Sequence, residues 1–503
     1  MKVEKKVFSN TVYLLMDWLV TSAFSFLFWF IIGKTLLPEF FGIISTSINT
    51  AILLSGISFL GFHGALIKLI PEFVKKRQVG NIVELNKFTL KIILLSNLII
   101  AIFLLVFSQA ITVLVKLPLK VVYLTAVLIV IMSLANFLSY ILYGFQNMKK
   151  LFLTNLIGRI FNITAVAVFS FLGFSYFGPI LAVLFTFFII GLLRINMSYF
   201  HNNDLSNINK QIIFYDLALP LFFSSLAVLV FSSSHFLIIS LLQNQEITGF
   251  FAIAFLLTSS IAMIQQVLAG ALFPVTSELN VGKNIRMQSY LINLIARYSL
   301  FLVFPLAMIL IFLSKPIILF FSQPQYLAST ILFPPLSIAA IFFGLANIML
   351  SSLYALGKTK INMIIWIMSA VFYAISSFLL TYYFSAIGTA LAYLLSTFLL
   401  AALSYFYLKK SLKEFRIFNN LVKIIASSLV LILLVNLSTR LEVFPFMVKI
   451  LLLLIGLAAY FLLLFVFKFY RKEDIRVLSY IARRLPLVNK LASAFLHFIS
   501  KYI

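Results

Sequence analysis

Arg159, Arg297, Asp17 and His235 lie inside long apolar runs of a 503-residue chain, where a charge needs a reason to be. A charged side chain at the centre of a hydrocarbon layer costs about 3 kcal/mol or more, so each is a site candidate. Arg159 and Arg297 are cations set deep in their runs. Such groups offset the charge of an anion, a phosphate above all. Lys68 closes an apolar run and is placed either to meet an anion at a cavity mouth or to anchor the run at the membrane surface. Lys91, nearer a run end than Arg297, reads as a snorkelling anchor. Asp17 can pair with an arginine or hold a proton or a coupling cation. His235 follows Ser232, Ser233 and Ser234 and can take or pass a proton. Gln265, Gln266 and Asn49 carry amides that can meet a polar ligand and equally suit helix-to-helix hydrogen bonds.

Other chemistry is excluded. The absence of cysteine rules out disulfides, thiolate metal sites and cysteine nucleophiles. Four scattered histidines give no metal centre, and no cofactor is expected. A net charge of +25 raises the question of nucleic acid. With 63% hydrophobic and 10% charged residues, the excess reads instead as the cytoplasmic bias of a polytopic membrane protein.

The elements that position these residues are apolar runs of bilayer length, about 20 residues each. The hydropathy pattern predicts an all-α polytopic membrane protein with about fourteen spans. Their cores are near 11–33, 41–66, 88–108, 119–143, 152–173, 178–200, 216–241, 249–273, 291–313, 327–352, 361–384, 387–408, 421–438 and 446–467. The first run is polar enough, and free enough of a small-residue cleavage site, to read as a retained span.

Basic residues orient the bundle. Lys2, Lys5, Lys6, the Lys75-Lys76-Arg77 run, Lys149-Lys150, Lys358, Lys360 and Lys409-Lys410 fall on one side, and Lys34, Lys116, Lys315 and Arg440 on the other. The positive-inside rule places both termini in the cytoplasm of a cell-membrane protein. At the C-terminal end, Ile475, Leu478, Ile481, Ala482 and Leu485 recur at helical spacing among Arg476, Arg483 and Arg484. This reads as an amphipathic helix on the anionic inner leaflet, with a partner-docking helix as the alternative.

The chain also repeats itself at an offset of roughly 210 residues. Gly178–Leu184 recurs as Gly388–Leu394, and Gly64-Ala65-Leu66 as Gly270-Ala271-Leu272. Glu39–Gly42 answers Glu246–Gly249, Tyr143–Lys149 answers Tyr354–Lys358, and Lys91 answers Arg297. An offset of six spans keeps both copies in the same orientation. The expected organisation is a six-helix lobe at 1–210, a second at 211–415, and two further spans with a basic tail at 416–503. A duplicated bundle of this kind handles its substrate between the two halves, and the connections outside the membrane are too short to hold a catalytic domain.

The landmarks resemble those of a known family. Gly33–Gly42 (GKTLLPEFFG) is similar to the hinge between the first two spans of polysaccharide and lipid-linked oligosaccharide exporters. Leu60–Glu72 (LGFHGALIKLIPE) resembles the end of that family's second span, and Tyr143–Lys150 (YGFQNMKK) its turn after the fourth. Asp216–Ser225 (DLALPLFFSS), Ala271–Leu279 (ALFPVTSEL) and Ala355–Lys360 (ALGKTK) look like the entry to span seven, the end of span eight and the turn after span ten. The resemblance covers about the first 410 residues. His235 departs from it, standing where many members carry an acidic residue.

The resemblance implies the superfamily that also holds multidrug extruders and lipid II flippases, with a central cavity between the two lobes. It implies a flippase that turns a polyprenyl-(pyro)phosphate-linked glycan from the inner to the outer leaflet by alternating access, for cell-surface polysaccharide synthesis. Arg159, Arg297 and Lys68 would then meet the phosphate, Gln265, Gln266 and Asn49 the sugar, and Asp17 and His235 would couple a cation or proton. Membrane lipids surround such a protein, and a polysaccharide polymerase or glycosyltransferases are its expected partners. The alternative is an ion-coupled multidrug or metabolite antiporter with Asp17 as its cation site. A membrane glycosyltransferase would need acidic catalytic groups and a sizeable loop domain, which this chain lacks.

Overall fold

A computed structural model describes residues 2–201, 208–282, 284–415, 421–440, 446–467 and 469. The described residues form helices and connections, without a strand. The helices are α1 (Lys2–Thr35), α2 (Pro38–Ser58), α3 (Phe62–Lys75), α4 (Val79–Val106), α5 (Ser108–Val115), α6 (Leu119–Gly144), α7 (Met148–Phe171) and α8 (Phe177–Arg194). There follow α9 (Lys210–Ile212), which runs through a π-helical stretch (Ile213–Ala218) into α10 (Leu219–Leu242), then α11 (Gln245–Val281), α12 (Ile285–Phe312) and α13 (Ser314–Phe321). The last are α14 (Phe333–Ala355), α15 (Thr359–Ser411), α16 (Leu421–Arg440) and α17 (Phe446–Val466).

Eleven of the described helices are long and apolar enough to cross a membrane. One of them, α15, bends at Ser385 (φ 56°, ψ −143°) and is two helices end to end, at the place where two spans were expected. α16 and α17, with shorter apolar stretches, occupy the places of the last two. The protein is a polytopic all-α membrane protein. Its outward apolar faces say the same. Only 22% of the most apolar window of α4 is buried, and Leu98, Ile99, Phe103 and Val106 point outward. Water would not tolerate such a face, but lipid does.

Local sequence explains the ends. Asn147 accepts from the Lys150 amide at 3.2 Å to cap α7, and Asn284 accepts from Met287 at 3.2 Å to cap α12. Asn244 does the same for Ile247 at 2.8 Å ahead of α11. Pro38 opens α2, where its missing N–H costs nothing. The turns after α6 and α14 share one geometry. Gln146 (φ 56°) and Gly357 (φ 75°) are left-handed, each two residues before the next helix. Ser108 and Ser314 each open an eight-residue helix, α5 and α13.

The second expected span differs from its hydropathy. It runs as one apolar stretch in sequence, yet breaks between α2 and α3 at Leu60 (φ 45°) and Gly61 (φ 82°). A Cβ on Gly61 would fall 1.9 Å from the Ala218 carbonyl oxygen. The close approach of the π-helical stretch and the left-handed turn therefore both demand glycine.

The chain forms two compact units. The first comprises Met1–Ala254, Ile318–Leu332 and Trp366–Ser396. Its core gathers Phe59, Phe62, Leu66, Ile70, Leu85, Phe137 and Ile141. In it α2 and α11 cross with almost no space between them. A Cβ on Gly42 would lie 1.8 Å from the Gln245 oxygen, and one on Gly249 would lie 1.9 Å from the Pro38 oxygen. Buried Gln245 ties the crossing down. It donates to the Val115 carbonyl at 2.7 Å and to Ser240 at 2.6 Å, and accepts from Thr46 at 3.1 Å. Lys34 donates to the Leu319 carbonyl at 3.0 Å, and Tyr326 to that of Leu36 at 2.9 Å.

The second unit comprises Phe255–Ile317, Phe333–Ile365 and Thr397–Ile503. In it α12 packs on α14 and α16, and α16 on α17. The Tyr460 hydroxyl donates to the Phe301 carbonyl at 2.9 Å. The amphipathic stretch expected after Ile475 lies outside the described residues.

Candidate functional site

Four helices of the first unit bring polar side chains to one point within a few turns of their ends. They are α1, α6, α7 and α8, tightly paired as α1 with α7, α7 with α8 and α6 with α8. Asp17 comes from α1, Ser139 and Tyr143 from α6, Thr154, Asn155 and Arg159 from α7, and Arg194 from the last turn of α8. Arg194 is only 2% exposed and Asp17 7%. Burial at this depth demands partners.

Arg194 has them, and all are uncharged. Its Nε donates to Thr154 Oγ1 at 2.9 Å, and its Nη2 to Asn155 Oδ1 at 2.6 Å. Its Nη1 donates to the Ser139 hydroxyl and lies 3.5 Å from the Ala135 carbonyl. The Asn155 amide continues the chain, its Nδ2 donating to Asp17 Oδ1 at 2.8 Å. Arg159 is one turn further along α7, on the same face as Asn155. Its Nε is sealed from solvent and has no hydrogen-bond partner. The charges of both arginines bear on the Asp17 carboxylate. Two guanidinium groups against one carboxylate leave the cluster with one surplus positive charge, Arg194 and Asp17 being buried and Arg159 partly so.

The structure thus brings together two of the residues singled out in the sequence, Asp17 and Arg159, and places the rest elsewhere. Lys68 is exposed on α3, and Asn49 spends its amide on the Ser45 carbonyl one turn back, at 2.9 Å. His235 is fully buried in the first unit amid rings, with centroids 4.2 Å from Phe236, 5.4 Å from Phe251 and 6.1 Å from Tyr393. Gln265, in the second unit, is fully buried and donates to Ser299 at 3.4 Å, while Gly344 leaves room for its amide. That bond runs from α11 to α12. Gln266 beside it is partly buried. Arg297 is 7% exposed, its guanidinium over the rings of Tyr298 at 5.1 Å and Phe469 at 5.4 Å. Its counterpart Lys91 is exposed on α4.

Arg194 and Asn155 were not singled out in the sequence. Arg194 sits at the end of an apolar run, where a cation ordinarily anchors a span to the membrane surface. Its spacing from Thr186 and Ile190, both buried on the same face of α8, was the available signal that it points inward.

Residues 7–280 match the family model described as polysaccharide biosynthesis protein. The chain belongs to that family. No curated protein sequence matches it. Among solved structures, this member of the polysaccharide biosynthesis family is similar to lipid II flippase MurJ in an inward closed conformation. The TM-score is 0.69 at 18% identity, over 92% of this chain and 98% of that one. An inward-facing multidrug resistance MATE family transporter of the MOP superfamily gives a TM-score of 0.59 at 15% identity, over 80% of this chain and 94% of that one. The Vibrio cholerae MATE transporter VcmN in its bent form gives 0.52 at 16%, over 82% and 98%. At these identities the likeness is one of fold.

Proposed function

We propose that this protein is a flippase for a polyprenyl-(pyro)phosphate-linked glycan, carrying it from the cytoplasmic to the outer leaflet of the cell membrane by alternating access. The observation that carries the reading is the buried, positively charged cluster around Arg159 in a chain of the polysaccharide biosynthesis family. The lipid tail of such a substrate stays in the bilayer. Its phosphate must cross a low-dielectric region, and a cation there offsets the desolvation. We assign this to Arg159, and its guanidinium N–H without a partner supports the assignment. Lys68, exposed on α3 where the expected orientation faces the cytoplasm, would gather the headgroup beforehand.

The repeats at 1–210 and 211–415 are read as the two moving lobes, with the residues after 416 appended. Asp17 is the group through which a cation or proton would act, because its ionisation sets the net charge of the cluster. A charge crossing the full membrane potential is worth about 2.3 kcal/mol per 100 mV, which biases direction. Arg297, held between rings, and Gln265, Gln266, Asn49 and His235 are assigned to the substrate path or its coupling on the sequence reading alone.

A second reading, an ion-coupled drug or metabolite antiporter, is favoured by the MATE-like fold and by Asp17 inside the membrane. The surplus of positive over negative charge in the cluster favours an anionic substrate instead. Removing the gene decides between them. Lipid-linked glycan accumulates on the inner leaflet if the protein is the flippase. Unchanged lipid-linked glycan together with new sensitivity to cationic drugs means the antiporter.

A further inference from the structure

We propose that Arg194 is a positioning cation. Through Asn155 it holds the Asp17 carboxylate away from Arg159, so that Arg159 keeps its charge for an anionic headgroup. The inference rests on the reading of Arg159 as the anion-binding group.

Asn155 has one acceptor oxygen and a donor NH2 group. Arg194 occupies the oxygen at 2.6 Å, which turns the NH2 toward Asp17 at 2.8 Å. Arg194 cannot swing away to make a direct pair. Thr154, Ser139 and the Ala135 carbonyl hold its other N–H groups, and the residue is only 2% exposed. The cation therefore fixes which way the amide faces, and the amide fixes the carboxylate.

Removing the relay changes the nearest strong partner of Asp17. Asn155 and Arg159 share a face of α7 one turn apart, and the Arg159 Nε lacks an acceptor. A carboxylate freed from the amide pairs with that guanidinium, and a direct pair at this depth is strong. The pair cancels the charge that a phosphate needs. Arg194 never touches the substrate in this scheme. It acts through two other side chains, and a residue filling space or joining α6, α7 and α8 would behave differently on substitution.

Suppression separates the two. Purified protein in nanodiscs is titrated with a polyprenyl pyrophosphate, with the uncharged polyprenol as control. Arg194→Met weakens pyrophosphate binding by roughly tenfold, and Asp17→Asn in the same chain restores it to within roughly twofold of the unsubstituted protein. Asn155→Ala, which leaves Arg194 its other partners, gives the same loss and the same rescue. It serves if Arg194→Met fails to fold. A double variant that binds as poorly as the single one overturns the proposal, and so does an Arg194→Met protein that binds normally. The relay also has a readout without ligand. In thermal unfolding, Arg194→Met and Asp17→Asn are non-additive, and become additive once Asn155 is alanine. Additivity with Asn155 present refutes the relay. Normal pyrophosphate binding by Arg159→Gln refutes only the reading on which it rests.

Discussion

Asp17 on α1 and Arg194 on α8 are joined by a single amide, that of Asn155, which accepts from the arginine at 2.6 Å and donates to the carboxylate at 2.8 Å. The arrangement binds three helices of the first unit around a cluster with one carboxylate and two guanidinium groups. It leaves Arg159 as the cation whose Nε has no acceptor.

Arg159→Gln removes both the charge and the orphaned donor. Transport of a lipid-linked glycan should fall by about tenfold or more, while Arg159→Lys, which keeps the charge but not the planar fork, should retain part of it. Initial rates in proteoliposomes of equal protein content check this. Equal rates for Gln and Lys would mean that charge at this position is irrelevant.

The crossing of α2 and α11 tolerates no side chain. Gly42→Ala and Gly249→Ala each force a carbonyl and a Cβ into the same space, at 1.8 and 1.9 Å. Each should destabilise the protein by about 1–3 kcal/mol as the helices separate. Gly270→Ala, on the same α11 but facing open space, should be neutral or slightly stabilising. Apparent melting temperatures in one detergent compare the three. A Gly42→Ala protein as stable as Gly270→Ala would contradict the crossing.

Gln245→Leu removes the amide that serves Val115, Ser240 and Thr46 at that crossing. Buried groups left without partners cost about 1–3 kcal/mol, so the loss should exceed that from Thr46→Val alone. Thermal unfolding of the two variants measures the difference. Thr46→Val as costly as Gln245→Leu would mean that Gln245 is not the hub.

Arg297 draws on the ring faces of Tyr298 and Phe469. Phe469→Leu removes the ring, which also packs on Phe301 and Tyr298, and should cost about 1–2 kcal/mol more in an Arg297 background than in Arg297→Met. A double-mutant cycle in thermal unfolding gives the coupling. A coupling of zero would mean that the stacking contributes nothing.

The spans, their turns and the bend at Ser385 were legible in the sequence for one physical reason. A bilayer imposes apolar runs of about 20 residues, and the chain must turn between them. The break at Gly61 was not legible, because its cause is the carbonyl of Ala218, distant in the chain, and hydropathy carries no such contact. The site divides in the same way. A charge inside a span stands out, which is why Asp17 and Arg159 were conspicuous in the sequence. Arg194 and Asn155 were not, since a cation at a span end and an asparagine near one are ordinary in sequence. What distinguishes them is side-chain direction. Gln265, conspicuous in sequence, donates to Ser299 between α11 and α12, a contact that hydropathy does not carry either.

The central claim is that the cluster around Arg159 carries an anionic lipid-linked glycan across the membrane. The most direct test is a proteoliposome assay with a defined polyprenyl-pyrophosphate-linked sugar, with and without an imposed potential. The account predicts protein-dependent arrival of the sugar at the opposite leaflet, lost in Arg159→Gln. Arrival at the same rate without protein, or with Arg159→Gln in its place, would contradict it.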